Sequence, residues 1–219
     1  MRRIFAICCL LLCTTAHSQI LINQYHQLEF LPLEQEEDNT YKGSPYLNDN
    51  FLPGSITLEG KEPVEVLLRY NVLNEEMEIK VDPAKPDIFR LNRNQSILYG
   101  IPPFQYSLHS IRYNGKEVKG YFGKGFQGKK VSLLVKPTVE YTEAEKAKGY
   151  GSDVPASIKI KQEYYIVFAD GRVENVRLKE KDIKKLFDSD QVKEYFKNNS
   201  LDTVEDLNAF LSFHENSEF

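Results

Sequence analysis

The chain of 219 residues has 28 Lys and Arg against 32 Asp and Glu, which gives a formal net charge of −4 at pH 7. A mildly acidic chain offers no general electrostatic attraction for nucleic acid or anionic lipid, so nucleic-acid binding is not an expected function. Hydrophobic residues make up 41% of the chain, and Tyr and Phe occur 13 times each, which is enough apolar surface for one ordinary domain.

Residues 1–18 have the features of a secretory signal peptide. Two arginines precede an apolar run from Ile4 to Cys13, and small residues are spaced as a cleavage signal before Gln19. The run is too short to span a bilayer stably, so an N-terminal membrane anchor is the less favoured alternative. We therefore expect an exported protein of the periplasm or cell envelope, with no membrane span after the signal peptide is cleaved. Association with the outer membrane is left open.

The cysteine positions limit the redox chemistry of the exported chain. Cys8, Cys9 and Cys13 all lie within the signal peptide, so the chain from Gln19 onward contains neither a disulfide nor a cysteine-bound zinc. Lipidation of Cys13 is a second alternative, which is disfavoured because Leu12 stands where a lipoprotein signal needs a small residue.

Residues 19–178 carry the pattern of an antiparallel β domain, with short runs rich in aromatic and β-branched residues separated by turn residues. Met77, Ile79 and Val81 alternate with charged residues, which indicates a strand with one solvent-facing side after a turn near residues 74–75. The predicted fold class is mainly β: an antiparallel twisted sheet or partly closed barrel, followed by a short C-terminal segment of two to three helices.

Two dipeptides predict tight turns between strands. Asn114-Gly115 is a strong signal for a two-residue hairpin loop, and Asp170-Gly171 supplies the pair of positive φ angles that a type I′ turn needs. After the second turn Val176 falls out of phase with the apolar face, so we expect either a β-bulge or partial burial of both faces.

Residues 142–157 contain almost no large apolar side chain and predict a long surface loop within the β domain. Loops of this length are often functional or disordered. A disordered connector is the favoured interpretation, and Tyr150 and Asp153 are the candidate residues of a binding loop.

Residues 179–219 change to helical periodicity and predict a C-terminal segment that packs on the same domain. Asp190 is the predicted N-cap of one helix. Asp202, with Glu205 three residues later, predicts the start of another through a variant of the capping box. Each helix has one apolar side, and packing on the sheet or on another helix is preferred over membrane binding.

The stretch GKGFQG, residues 123–128, matches the G-x-G-x-x-G pattern of nucleotide-phosphate loops. A dinucleotide site needs a helix directly after the glycines, whereas the residues that follow, KKVSLLVKP, are β-branched and apolar. A kinase-type loop would be accompanied by H-R-D and D-F-G, which the sequence lacks. The glycines therefore predict a strand connection, and no cofactor is expected.

No catalytic or metal-ligating residue is predicted. His26, His109 and His214 are far apart in sequence and belong to no metal-binding pattern, although a Ser-His-Asp triad assembled by the fold stays open. The acidic runs at residues 34–38 and 74–78 lack the spacing of a calcium loop, and a glycosidase pair is defined by distances in space. A solvated face and a turn are the preferred interpretations of these runs.

Several stretches together resemble a family of small exported proteins common in Bacteroidota that has no assigned activity. The resemblance covers residues 42–213 and is one of overall order, carried by KGSPYLNDNFLPGSI, LLRYNVLNEEMEIK, GYFGKGFQGKKVSLLVK, GYGSDVPASIKIKQEYYIVFADG and the closing IKKLF, VKEYFKNN and TVEDLNAFLSF. It implies export and a plan of strands followed by helices, and it implies no site residues.

The leading functional hypothesis is a non-enzymatic envelope protein that binds another protein or an envelope component such as a glycan. It is motivated by the lack of an assembled catalytic motif or cofactor signature and by an aromatic content that can form a binding face as well as a core. Two alternatives are kept. One is a hydrolase of envelope glycans or peptides whose carboxylates converge only in the fold, and the other is a small outer-membrane β-barrel.

The signal-peptide assignment can be checked directly. When the full chain is expressed in a bacterial host with an intact export pathway, we expect the exported protein to begin at Gln19, because the small residues before it fit the signal peptidase. N-terminal sequencing and intact mass of the periplasmic fraction measure this. A protein that keeps residues 1–18, or a mass increased by acyl chains on Cys13, would contradict the assignment.

Overall fold

The computed structural model describes residues 30–33, 41–146 and 153–217. Over these residues the protein is mainly β. One large, mostly antiparallel and twisted sheet, which does not close on itself, is followed by three helices. The predicted fold class is confirmed.

Twelve strands and three helices are described. The strands are β1 (Phe30–Pro32), β2 (Tyr41–Lys42), β3 (Leu52–Leu58), β4 (Val64–Asn71), β5 (Glu76–Lys80), β6 (Phe89–Leu91), β7 (Ile97–Ile101), β8 (Phe104–Tyr113), β9 (Lys116–Gln127), β10 (Val131–Thr142), β11 (Ala156–Phe168) and β12 (Val173–Val176). The helices are α1 (Glu180–Leu186), α2 (Asp190–Asn198) and α3 (Val204–Asn216). None of the described helices is long and apolar enough to cross a membrane.

The strands follow the order β1-β6-β5-β4-β3-β7-β8-β9-β10-β11-β12 across the sheet, and β2 pairs in parallel with the start of β11. Every other described strand pair is antiparallel. At the far end the sheet curls until β12 packs against β8. Strong twist in a sheet of this width favours such curling, which brings distant strands into contact.

The main core is built around four buried tyrosines on one face of the sheet. The ring of Tyr121 lies edge-on to Tyr70 and to Tyr99, with centroids 5.6 Å apart in each pair, and Tyr106 lies 5.9 Å from Tyr70. Tyr70 is on β4 and Tyr121 on β9, and three strands separate them in the sheet order. Their contact therefore means that the sheet coils around this core. Edge-to-face rings of this kind stabilise beyond the area that they bury.

A second, smaller cluster lies on the opposite face. Phe122, Leu134 and Tyr165 come from the neighbouring strands β9, β10 and β11 and are buried together. Tyr113 of β8 places its ring 5.8 Å from that of Tyr165. The β8–β9 hairpin therefore folds over the last strands, so both faces of this part of the sheet are covered.

The two predicted turns have different outcomes. Asn114 (φ 49°) and Gly115 (φ 74°) form the expected tight hairpin. At the second turn only Gly171 has a positive φ, 85°, and the strands are joined by four residues between Phe168 and Val173, so the predicted type I′ turn is wrong.

The longer connection explains the phase of the return strand. Val167 pairs with Val173 and Tyr164 with Val176 in one unbroken register, so the alternative of a bulge is wrong. Val176 joins the main core, whereas Val173 packs on the smaller cluster. Burial of both faces, the other alternative, is what the structure has.

The hairpin of β10 and β11 extends into the predicted 142–157 loop. Thr142 pairs with Ser157, and a further bridge joins Glu145 to Val154. These residues keep the register of the whole hairpin. Residues 147–152 lie outside the described residues, so the order of the loop stays a prediction.

Each predicted helix cap is displaced by one residue. Ser189 is the N-cap of α2 and its hydroxyl accepts the Val192 N–H at 3.2 Å. Thr203 and Asp206 form the reciprocal capping box of α3. In both cases a hydroxyl side chain next to the predicted Asp takes the position, because its short side chain reaches the free N–H groups of the first turn.

Residues 123–127 of the GKGFQG stretch form the end of β9, and only Gly128 lies in the turn to β10, so the predicted strand connection is mostly strand. The element that follows is the strand β10 and not a helix. The backbone N–H groups of the two residues that follow GKGFQG in the turn bind an anion that the protein itself supplies. The Glu215 carboxylate at the end of α3 accepts the N–H of Lys129 at 2.8 Å and of Lys130 at 2.9 Å. A Cβ at Gly128 would lie 2.3 Å from this carboxylate, so the glycine permits the approach.

A second contact of the same kind fixes the middle of α3. The side-chain oxygen of Asn208 accepts the N–H of Phe126 at 2.9 Å, and a Cβ at Gly125 would lie 3.1 Å from that oxygen. Two helix side chains therefore satisfy backbone donors of the glycine-rich strand end, and the helix is held in one position on the sheet.

We expect Glu215→Gln to lower the thermal stability of the protein at pH 7. Hydrogen bonds, first of all from the Lys130 N–H, lower the pKa of Glu215. A lowered pKa means that the contact stabilises above the usual pKa of a glutamate and is lost as the pH falls through the lowered value. Melting curves from pH 7 to pH 3 should show a smaller acid-dependent loss in the variant. Glu194→Gln on α2 is the control, and equal behaviour of the two variants would contradict this role.

Candidate functional site

The two residues predicted for a binding loop cannot be placed together. Tyr150 lies outside the described residues. Asp153 is exposed beside Val154, at the loop end of the β10–β11 hairpin. Within residues 30–33, 41–146 and 153–217, no group of three or more His, Cys, Asp or Glu side chains could hold a metal ion.

The structure brings one serine and one histidine together. The Ser107 hydroxyl and His109 Nε2, both on β8, are 2.9 Å apart. Burial lowers the pKa of His109, and the nearby Lys124 lowers it further. The arrangement resembles the nucleophile and base of a Ser-His-Asp triad. Ser107 is, however, only 2% exposed and lies opposite Phe122, on the face of the sheet that carries the smaller cluster. A substrate has no access to this hydroxyl, and the pair acts as a buried hydrogen bond.

The pairing between β9 and β10 is incomplete. It ends at Val135, opposite Gly123, while β10 continues to Thr142 in contact with β11. In the part of the chain that the structure describes, no strand pairs with the other edge of β10 over residues 136–142. Pro137 agrees with this, because proline, which has no N–H, occurs in sheets mainly where one edge is unpaired.

Glu75 occupies the point where the two strands separate. It sits in the turn between β4 and β5 with φ 54°, and its carboxylate accepts the N–H of Tyr121 at 3.1 Å, the hydroxyl of Tyr70 at 3.1 Å and the ammonium of Lys136 at 2.6 Å. The Tyr121 N–H would otherwise lose its partner. Glu75 therefore replaces strand pairing with charge-assisted hydrogen bonds.

Gly120 makes this arrangement possible. Its φ is +137°, and a Cβ there would lie 2.4 Å from Lys136 Nζ and 2.6 Å from both carboxylate oxygens of Glu75. The Lys136 ammonium is buried 5.3 Å from the centre of the Phe122 ring. A buried ammonium needs both a counter-charge and hydrogen bonds, and the carboxylate of Glu75 provides them.

A cleft of about 310 Å³ opens beside Glu75. Two ion pairs line it, Arg90 with Glu76 and Arg93 with Glu75, the second at 3.8 Å. The arginine side chains are 43% and 53% exposed, whereas Glu76 and Glu75 are 21% and 26% exposed. In this cleft the guanidinium groups are therefore more exposed to solvent than the carboxylates to which they are paired. Its volume lies at the lower end of ligand pockets.

Apolar side chains are exposed near the unpaired edge. Tyr141 on β10 and Val154, which continues β11, are two of the three large hydrophobic side chains exposed among the described residues. The hairpin register places both on the same face, because Tyr141 is opposite Ile158 and Val154 is opposite Glu145. The site thus combines an unpaired edge, an apolar side and a charged cleft at the inner end of the edge.

Comparisons of the chain with protein-family models, with curated proteins and with solved structures found no match. The resemblance to an exported Bacteroidota family is therefore still a prediction, and the functional proposal depends on the geometry alone.

Sequence reasoning missed most of this site. It treated Glu75 as part of a turn and gave no role to Gly120 or Lys136. The one available signal was Pro137 inside the strand-like stretch VSLLVKPTVEYT, which is typical of a strand with an unpaired edge.

We expect Gly120→Ala to destabilise the protein by about 2–4 kcal/mol, because the new Cβ adds a clash with the Glu75–Lys136 pair to the cost of a positive φ. Gly115→Ala is the control: its φ is also positive, but nothing lies within 4 Å of the added Cβ, and about 1–2 kcal/mol is expected. Urea unfolding measures both. Equal losses of unfolding free energy in the two variants would contradict the close packing of the Glu75–Lys136 pair against Gly120.

Proposed function

We propose that this protein is a non-enzymatic, exported protein of the cell envelope that binds an extended segment of a protein partner by adding it as a strand to β10. One observation carries the proposal: the edge of β10 over residues 136–142 has no partner strand among the described residues, although the other edge is paired along its whole length. Strand addition is an established mode of peptide recognition, in which main-chain hydrogen bonds supply the affinity.

The inner end of the edge carries two features by which proteins prevent strand addition, because Lys136 and Pro137 are both buried and Pro137 has no N–H to donate. The outer part of the edge, residues 138–142, has few of these features. Natural edges are usually short, charged or covered. Here the unpaired stretch runs for most of β10 and contains Thr138, Val139, Tyr141 and Thr142, which favour extended structure, with Glu140 as the charged residue among them. Exposed Tyr141 offers an apolar contact to alternate side chains of an added strand.

The charged groups nearby support binding over hydrolysis. Glu75 and Glu76 are each ion-paired to a basic side chain, which suits a structural or binding role. Ser107 is buried beneath the sheet surface. A hydrolase would need one of these groups to meet a substrate, and their partners already occupy them.

The proposal is tested with random 12-residue peptides in two display formats, one with free N-termini and one with free C-termini, selected on the mature protein. Enriched peptides are synthesised with a fluorophore and their Kd is measured by anisotropy. Each is also made N-methylated at odd or at even positions. Because a strand bound through one edge uses the N–H groups of alternate residues, we expect one methylated series to lose binding and the other to keep it.

The location of the bound peptide is read from a photo-crosslinker on the peptide, and crosslinks should map to residues 136–142. Failure to enrich any peptide with a Kd below about 100 µM, a weak affinity for a specific site, would overturn the proposal. Equal binding of both methylated series, or crosslinks confined to other strands, would overturn it as well.

A further inference from the structure

The unpaired edge of β10 is closed at one end. Val135 is the last residue of β10 that is paired with β9, and the Glu75 carboxylate fills the space immediately beyond it, in contact with Lys136. A strand added to residues 138–142 cannot continue past this point, because Lys136 and Pro137 are buried and β9 occupies the edge from Val135 on. The added strand must therefore begin or end at the closed end.

The direction of the strand decides which of its ends is placed there. β10 runs away from the closed end, from Val135 towards Thr142. An antiparallel partner runs towards the closed end and arrives with its C-terminus. Antiparallel pairing is slightly more stable per residue than parallel pairing. It is also the arrangement of both described neighbours of β10.

The charges at the closed end suit a carboxylate. Glu75 contacts Lys136 with one oxygen and Arg93 with the other, so the cleft and the start of the edge share one side chain. The Glu75 charge is already balanced by Lys136 and by hydrogen bonds from Tyr70 and Tyr121. Arg90 and Arg93 contact Glu76 and Glu75, but a guanidinium carries five N–H donors, and these two groups are more exposed than the carboxylates beside them, so they can also bind an incoming carboxylate.

We propose that this cleft binds the C-terminal carboxylate of the strand that adds to β10. The proposal depends on the strand addition described above and names its partner more closely: a protein whose extended C-terminus ends at Arg93. The direction of an antiparallel strand and the positive groups of the cleft are independent observations, and both indicate that the C-terminus of the ligand lies at the closed end. The apolar lining from Leu31, Met77 and Leu91 contacts the last side chain of that partner.

The test uses the peptides enriched in either display format, each synthesised with a free C-terminal carboxylate, as a C-terminal amide, and with two added glycines. We expect the amide and the extended peptide to bind at least about tenfold more weakly than the acid, because a charge-assisted hydrogen bond is lost or displaced. Arg93→Gln should remove the difference between acid and amide. Arg172→Gln, a comparably exposed arginine on the β11–β12 turn, should leave it unchanged.

The outcomes separate the two proposals. Peptides that bind equally as acid and as amide would overturn C-terminal recognition and leave strand addition standing, whereas the absence of any binding peptide would overturn both. The last measurement is competition by N-acetyltyrosine, which has a free carboxylate but is too short to pair as a strand. If it displaces the labelled peptide with the affinity of the peptide acid, the cleft is a site for free carboxylates and the proposed recognition of a chain end is wrong.

Discussion

The fold depends on how the sheet satisfies its backbone where β9 and β10 separate. A strongly coiled sheet cannot keep every pair of strands together, and each separation leaves N–H groups without a partner. Here the Glu75 carboxylate takes the place of the missing strand, accepting from the Tyr121 backbone, the Tyr70 hydroxyl and the Lys136 ammonium at once. One side chain thereby joins β4, β9 and β10, and the edge of β10 beyond it is left available.

The buried tyrosines give this junction its rigidity. Tyr70, which donates to Glu75, is also packed edge-on against Tyr121, so the hydrogen-bonding and the packing restraints act on the same residues. Burial raises the pKa of Tyr70, and the neighbouring Glu75 raises it further, which keeps the hydroxyl protonated as a donor. In the proposed strand addition, an edge that begins at such a point needs little ordering on binding, which favours affinity.

The turn that follows the glycine-rich end of β9 obeys the same principle. The GKGFQG stretch matches a phosphate loop because both need a backbone that an anion can approach closely. In this protein the anion is the Glu215 carboxylate of α3, held by the N–H groups of Lys129 and Lys130. Carboxylates of the chain itself therefore satisfy exposed backbone donors at two places, and one of them fixes the helices on the sheet.

The sequence by itself determined the class of the fold, the hairpin at Asn114-Gly115, the lack of a helix directly after GKGFQG and the helical C-terminal segment, because each follows from local periodicity or from the φ preferences of single residues. Only the tertiary structure decided the site. Lys136 is 61 residues from Glu75 in the chain, and neither residue type predicts the other. Likewise, Val176 faces the main core because of the length of one turn. Local patterns specify which segments are strands and helices, whereas the coiling of the sheet brings distant charges together and leaves an edge of β10 unpaired.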